Sequence, residues 1–430
     1  MNIYTYQQLQ GNFTDNVGVS HPDWMFLQPK HTERYEQIQQ YYGNNKSTSS
    51  DDWHKDDIIE LGLNPKLSRN FRDRPFELTG TADTVLKLIS QREQRIVFVS
   101  LMDCWGFEYN SKGVDYHIVE DIYDVCDHYN IDYDKVAICT GNATLEAECI
   151  RIANKVNKPV LKNFYYNTYY LRIPMEPREI NLPLVKSKFL FTNRRHTDAR
   201  FEILHYLHRN DMLKDTIWSY NNVMEQTTAA PMAKDMSDFL RGRNSTSMIF
   251  ENLDAYNVDK LVKMMPKGLD RGLNFPADFQ DSLPNAFYDK AGVYIIQETN
   301  FEPYSELLDG YPTFLNGWHS EKTLKTFLKR MPGIFFAAPN HLANLKTVGY
   351  RTFGDMIDES YDSEIESNIR FSKAANELNR IHHMSYNELH DALERLRPVL
   401  EHNYNTYMQY SNIDYYKNKV HTIFNIDITT

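Results

Sequence analysis

Two segments in the second half of the chain combine positive side chains with predicted helix starts, a pairing that suits a bound anion. In the first, Ser320 is the predicted N-cap and Lys322 falls in the first helical turn. Because the helix dipole makes that end positive, a cation there is unfavourable unless an anion binds beside it. The spacing predicts either a phosphate site or a surface helix whose solvated face carries Lys322, Lys325 and Lys329.

The second segment, Phe189–Arg200, has the sequence FLFTNRRHTDAR. Asn193, Arg194 and Arg195 lie at the carboxyl end of a predicted strand, just before a helix, which is where ligands bind in open α/β sheets. Arg200 falls on the apolar side of that helix, so its guanidinium needs a buried partner. The partner is either a phosphate or carboxylate of a ligand, or an Asp or Glu of the protein itself.

Carboxylates at two further helix or strand ends are suited to accept hydrogen bonds from ribose hydroxyls. Glu298 ends a predicted apolar strand, and Glu321 begins the lysine-bearing helix. For Glu321, an ordinary acid at a helix start explains the position equally well. The acidic run Asp358–Asp362 is interpreted first as a helix cap and second as a contact to the ligand.

The sequence does not require a metal ion. Asp132 and Asp134 precede their predicted strand, so they belong to the sheet edge away from the expected ligand. Four histidines lack a third metal ligand and four cysteines lack metal-site spacing, so packing explains both sets better. These residues are His205, His208, His382 and His383, and Cys104, Cys126, Cys139 and Cys149.

The elements that must position these side chains alternate between strand and helix, as in a parallel sheet with covering helices. The predicted strands are 95–101, 135–140, 188–192, 216–220, 293–297 and 333–338, and the predicted helices include 143–156, 198–209 and 386–410. The proline-rich stretch 172–183 is interpreted as a linker. We therefore predict an α/β domain over 1–180 and a second one over 181–430 that ends in helices.

Size and charge limit the class of protein. With 430 residues, 41% of them hydrophobic, the chain is long enough for two domains. The net charge of −11 argues against a surface coated in basic charge, so a nucleic-acid partner would need a local basic groove. No run has the length of a membrane span and the first residues lack a basic-then-apolar leader, which predicts a cytoplasmic protein without membrane insertion, in the host cytoplasm if the source is viral.

The second half resembles the nucleotide-sugar-binding domain of GT-B glycosyltransferases, most closely the fucosyltransferase-like and phage-encoded branch. The resemblance rests on five segments in order: Phe189–Leu207, Met264–Asp270, Val293–Phe301, Ser320–Pro339 and Val348–Asp362. It implies a GT-B-like architecture, in which two Rossmann-like domains face each other across a cleft. A nucleoside diphosphate sugar, expected to be UDP-linked, would bind mainly to the second domain and the acceptor mainly to the first.

The resemblance also implies roles for individual residues. Glu321 would contact the ribose. Lys322 or Lys325, together with Arg194 and Arg195, would neutralise the diphosphate leaving group without a metal ion or another cofactor. The predicted nucleotide-sugar site comprises Asn193, Arg194, Arg195, Arg200, Glu298, Ser320, Glu321, Lys322 and Lys325.

An inverting transfer would need a general base near the acceptor hydroxyl, whereas a retaining transfer would not need it in the same role. Asp103, at the carboxyl end of the predicted strand 95–101, is the first candidate for this base and Glu108 is the second. Capping of the turn that follows the strand is the alternative role for either residue. The sequence leaves the stereochemistry open.

The acceptor has two interpretations. The phage-like character of the second half favours hydroxymethylated cytosine in phage DNA, which would receive a hexose such as glucose or a pentose such as arabinose. The acidic net charge favours a glycan, glycolipid or protein acceptor, since duplex binders place Lys and Arg against phosphates. A viral protein that binds a nucleotide sugar without catalysis is the alternative from a different functional class.

Overall fold

The computed structural model describes residues 3–5, 58–63, 86–87, 89–91, 93–100, 108–111, 114–167, 170, 178–180, 182–195, 198–223, 260–261, 264, 283–298, 301, 317 and 319–426. The chain divides into two compact units. The first unit comprises Met1–Arg172 together with Gln409–Thr430, and the second comprises Ile173–Met408. The functional roles predicted for the two domains stay predictions.

The first unit is built on a five-stranded parallel sheet in the order β1-β2-β3-β6-β7. Its strands are β1 (Ile3–Thr5), β2 (Ile58–Leu63), β3 (Arg95–Ser100), β6 (Val136–Thr140) and β7 (Lys162–Tyr165), and β4 (Glu108–Ser111) and β5 (Val114–His117) form an antiparallel hairpin. Its helices are α1 (Ile118–Tyr129), α2 (Leu145–Val156) and α9 (Ile413–Ile423).

Local sequence explains where the helices of the first unit end. Asn130 follows α1 with φ of 55° and Asn157 follows α2 with φ of 54°, so each helix closes on an asparagine in the left-handed conformation. Asparagine is the residue after glycine that best tolerates this conformation. The chain can therefore reverse direction promptly and enter the next parallel strand.

The second unit is built on a four-stranded parallel sheet in the order β9-β8-β10-β11. Its strands are β8 (Ser187–Arg195), β9 (Thr216–Val223), β10 (Ala291–Gln297) and β11 (Gly333–Phe336). Its helices are α3 (Asp198–Arg209), α4 (Asn285–Tyr288), α5 (Glu321–Leu328), α6 (His341–Thr347), α7 (Ser367–His383) and α8 (Tyr386–Tyr410, which ends just beyond the unit).

Every residue of β10 is buried, as expected for a central strand of a parallel sheet that is covered on both faces. The predicted α/β class is confirmed, with parallel sheets consistent with a Rossmann-like fold. Among the residues given above, no helix is both long enough and apolar enough to cross a bilayer.

The prediction for Lys329 is wrong. Lys329 is the C-cap of α5 rather than part of its solvated face, and its side chain is buried. Its Nζ atom donates a hydrogen bond of 2.6 Å to Asn285 and lies 5.4 Å from the ring centre of Tyr288. The helical wheel fails here because the backbone leaves the helix at this residue, and Arg330 then has a positive φ of 44°.

Candidate functional site

The order of strands in the second unit creates a topological switch point between β8 and β10. From β8 the chain crosses to β9 on one side, whereas β10 pairs with β8 on the other side and β11 continues outward. In such sheets the carboxyl ends of the two central strands flank a crevice that binds ligands. Asn193 lies near the end of β8, Gln297 ends β10, and Glu298 follows it directly.

Helix α3 covers one face of the sheet at the switch point. Asn193 pairs in register with Tyr220 of β9, and the pairing of Phe189 with Val293 puts Asn193 and Gln297 on a common face, since side chains alternate along a strand. Arg200 Nε donates a hydrogen bond of 2.7 Å to Gln297 Oε1. The ring of Phe201 packs edge-on against Tyr220 at 6.4 Å. The first turn of α3 therefore lies over the face that carries Asn193.

Asn193 is only 6% exposed, and its Nδ2 atom has no hydrogen-bond partner in the described part of the chain. A buried donor without a partner is costly, and proteins keep few of them. The pairing of β8 with β9 is irregular between Asn193 and Arg195, and such bulges often re-aim side chains beside functional sites. The predictions for the side chains of Arg194 and Arg195 lie outside what the structure describes.

Arg200 is buried, as predicted from its place on the apolar side of the helix. The hydrogen bond to Gln297 gives it a neutral amide as a partner within the protein. The sequence predicts an Asp, a Glu or a ligand anion in this role. Gln297 is 97 residues away in sequence, so no local pattern indicates it.

The start of α5 covers the opposite face of the sheet and forms hydrogen bonds with Glu298. The Glu298 carboxylate accepts a hydrogen bond of 3.3 Å from the backbone N–H of Ser320 and another from the hydroxyl of Thr323. Burial alone would raise the pKa of Glu298, but the positive charge of Lys322, the nearby His341 and these hydrogen bonds lower it to about 2. Glu298 is therefore an ionised carboxylate inside the protein.

The predicted N-cap of α5 is confirmed: the Oγ atom of Ser320 accepts from the backbone N–H of Lys322 at 3.2 Å. The Nζ atom of Lys322 lies 3.2 Å from the same Oγ and 3.1 Å from a carboxylate oxygen of Glu321. Burial would raise the pKa of Glu321, but the positive charges of Lys322 and Lys325 outweigh it and lower that pKa. The two lysines thus balance two carboxylates of the protein, Glu298 and Glu321.

Two buried histidines that the sequence pattern does not indicate extend this network. His341 Nε2 lies 3.1 Å from the Thr323 hydroxyl. Because that hydroxyl donates its only proton to Glu298, the Nε2 atom must be the donor, which fixes the tautomer of His341. His319 packs edge-on against His341 with ring centres 5.0 Å apart. Burial, with His341 nearby, lowers the pKa of His319 to about 3.

The acidic run Asp358–Asp362 does cap a helix, but one that precedes it. The two carboxylate oxygens of Asp362 accept hydrogen bonds from the backbone N–H groups of Leu342 and Ala343 at 2.8 and 3.0 Å. Asp362 therefore satisfies the start of α6. The interpretation of this run as a helix cap is confirmed, but the backbone N–H of Leu342 that Asp362 caps lies 20 residues earlier in the chain.

In the first unit, Asp103 lies outside the described residues, and Glu108 begins β4 opposite His117, with its side chain likewise outside them. His117 is buried and has a carboxylate partner, since its Nε2 lies 3.2 Å from Glu148. Its Nδ1 atom accepts from the backbone N–H of Val119 and caps α1. Both ring nitrogens of His117 are therefore engaged within the first unit.

Among the described histidine, cysteine, aspartate and glutamate side chains, no group of three or more is placed to hold a metal ion. His382 instead pairs with Asp215 at 3.2 Å. Cys126, Cys139 and Cys149 are buried thiols outside any disulfide among the described residues, in agreement with the packing role predicted for them.

Comparison of the sequence with models of protein families and with curated proteins gives no match. The geometry at the switch point is therefore the main support for a functional proposal.

Proposed function

We propose that this protein is a glycosyltransferase that binds a nucleoside diphosphate sugar at the switch point of the second unit. The observation that supports the proposal is that predicted site residues lie at two strand ends and two helix starts around one topological switch point. Asn193 and Arg200 lie on one face of the β8–β10 junction, and Glu298 with Ser320 lies on the other. A crevice of this kind, flanked by helix N-termini, suits a phosphorylated nucleotide.

The chemistry of the transfer fits these side chains. Departure of the nucleoside diphosphate builds negative charge on the leaving phosphate oxygen, and donors already in position stabilise that charge. Arg200 is held in place by Gln297. Arg194 and Arg195 are the last two residues of β8, at the same edge of the sheet. Carboxylates such as Glu298 and Glu321 accept hydrogen bonds from sugar hydroxyls.

The proposed arrangement is GT-B-like, with the first unit binding the acceptor. Asp103 is the proposed general base of an inverting transfer and Glu108 the second choice. The proposed acceptor is a hydroxyl group on hydroxymethylated cytosine in DNA, with a glycan or glycolipid hydroxyl as the competing acceptor. The donor is proposed to be UDP-linked.

A thermal-shift titration with UDP- and GDP-linked sugars tests donor binding. A bound donor stabilises the folded state according to its concentration relative to Kd, so the correct sugar raises Tm. The variant R194A should weaken that shift, whereas R397A, in an exposed pair with Glu394 on α8, should leave it unchanged. If no nucleotide sugar raises Tm, the proposal is wrong.

Catalysis and acceptor need a separate assay. The protein is incubated with the stabilising sugar nucleotide and with DNA that contains hydroxymethylcytosine, unmodified DNA, or a glycan panel. Release of the nucleoside diphosphate with sugar attached to one acceptor class identifies the activity. A donor that binds but is neither hydrolysed nor transferred would indicate a non-catalytic nucleotide-sugar-binding protein.

A further inference from the structure

The starts of α3 and α5 at the switch point differ in whether a carboxylate of the protein already occupies them. At α5, the Glu298 carboxylate takes the backbone N–H of Ser320 and the hydroxyl of Thr323. The negative charges of Glu298 and Glu321 equal in number the positive charges of Lys322 and Lys325. A second anion at this end would meet an ionised carboxylate without surplus positive charge to offset it.

The start of α3 has the opposite character. Between residues 194 and 202 the sequence has three arginines against two carboxylates. On the sheet face beneath its first turn lies Asn193, whose buried Nδ2 has no partner among the described residues. The neighbouring side chain on that face, Gln297, receives the hydrogen bond from Arg200. Asn193 therefore presents a buried donor on the sheet face that α3 covers, the face on which Gln297 holds the guanidinium of Arg200.

We propose that the diphosphate binds only on the α3 side, where Asn193 Nδ2 donates a hydrogen bond to a phosphate oxygen, and that the α5 side contacts uncharged hydroxyls. This assignment rests on the proposed function. It places the diphosphate of the nucleotide sugar on the sheet face under α3 and the sugar or ribose hydroxyls on the face under α5. It removes Lys322 and Lys325 from the diphosphate contacts that the resemblance implies. It also accounts for the unpaired amide, because a bound phosphate oxygen would supply the missing acceptor.

The substitution N193L separates this role from a structural one. Leucine has a similar size and removes an unpaired buried donor, so Tm of the free protein should rise or stay unchanged. The affinity for UDP or GDP, whichever the native protein binds more tightly, should fall about tenfold or more, as expected for a lost hydrogen bond to a charged group. Calorimetric titration gives the affinity, and N193S serves as a second variant if N193L does not fold.

Two matched variants complete the design. In K322Q, on the α5 side, the nucleotide affinity should fall less than about threefold, because the lysine serves the protein's own carboxylates. T192V alters the preceding residue, whose hydroxyl lies 2.8 Å from the Tyr294 hydroxyl on the opposite face, and it should lower Tm without changing affinity.

The outcomes distinguish this inference from the proposed function. Native protein that binds neither UDP nor GDP nor their sugars overturns both. Nucleotide affinity that is unchanged in N193L and N193S, or that falls tenfold in K322Q alone, overturns the assignment of the diphosphate and leaves the proposed function standing. A lower Tm in N193L with unchanged affinity shows that Asn193 is structural.

Discussion

The Nε atom of Arg200 lies 2.7 Å from the Oε1 atom of Gln297, and this hydrogen bond joins helix α3 to strand β10 across the end of β8. The helix that leaves one central strand is thereby fixed to the other central strand. Both residues are buried, so the bond is shielded from water. It sets the separation between the first turn of α3 and the sheet edge at which the ligand is proposed to bind.

Loss of the amide acceptor should destabilise the second unit. In Q297L the guanidinium of Arg200 loses a charge-assisted hydrogen bond, which contributes ~1.5–3 kcal/mol. Q297E keeps an acceptor of the same shape and should recover most of the unfolding free energy. Urea denaturation of the three proteins measures it. Equal stability of Q297L and the native protein would show that this bond does not hold α3 in place.

Acid should weaken the fold through the buried network at α5. The pKa of His319 is about 3 in the folded state against 6.5 ordinarily, so the unfolded chain takes up a proton first as the pH falls. Its contribution to stability is complete above pH 6.5 and is lost progressively towards pH 3. Glu298, at about 2 against 4.5, acts in the same direction at lower pH.

The change H319Q should therefore reduce the slope of unfolding free energy against pH between 4.5 and 6.5. The measurement is urea denaturation across that window and above it. H383Q is the matched control, because the His383 side chain is exposed. A slope in H319Q as steep as that of the native protein would contradict the prediction.

Arg370 should be among the most sensitive residues of the second unit. Its guanidinium is buried and donates to the backbone carbonyls of Ala337, Phe301 and Ile365, which connects α7 to the segments after β11 and β10. In R370M these carbonyls lose their donor, and we expect a loss of ~3 kcal/mol or more of unfolding free energy.

Denaturation of R370M and of R397A tests this expectation. Arg397 forms an exposed pair with Glu394, three residues earlier on α8, and exposed pairs contribute little to stability. R397A should unfold like the native protein. If R370M does so as well, the buried contacts of Arg370 are energetically unimportant.

Elements with strong local signals were predictable from the sequence. Helix α3 and helix α8 begin and end at the predicted residues, and β10 differs from its prediction by two residues at its start. Each has a long apolar or amphipathic pattern that depends on neighbouring residues alone. The N-cap Ser320 was predictable for the same reason, because its hydrogen bond closes over two residues.

Features that depend on distant partners were not predictable. The carboxylate of Glu298 meets Ser320 and Thr323 only after β10 and α5 have come together, and Asp362 caps a helix that precedes it. Only one of the two histidines near Glu298, His319 and His341, has a sequence signal of its own. His319 directly precedes the N-cap of α5, which weakly indicates a place near that helix start. The residue types predict where charged side chains cluster. They do not predict that Lys322 and Lys325 are offset by Glu298 and Glu321 of the protein itself.

The membership of Gln409–Thr430 in the first unit bears on how the protein is made. The rings of Phe164 and Tyr166 pack against Tyr416, at 5.8 and 4.9 Å between ring centres. A ribosome reaches Tyr416 only after it has translated the entire second unit, whereas domains usually fold in order of synthesis. The first unit can therefore complete its aromatic interior only after the second unit has been translated.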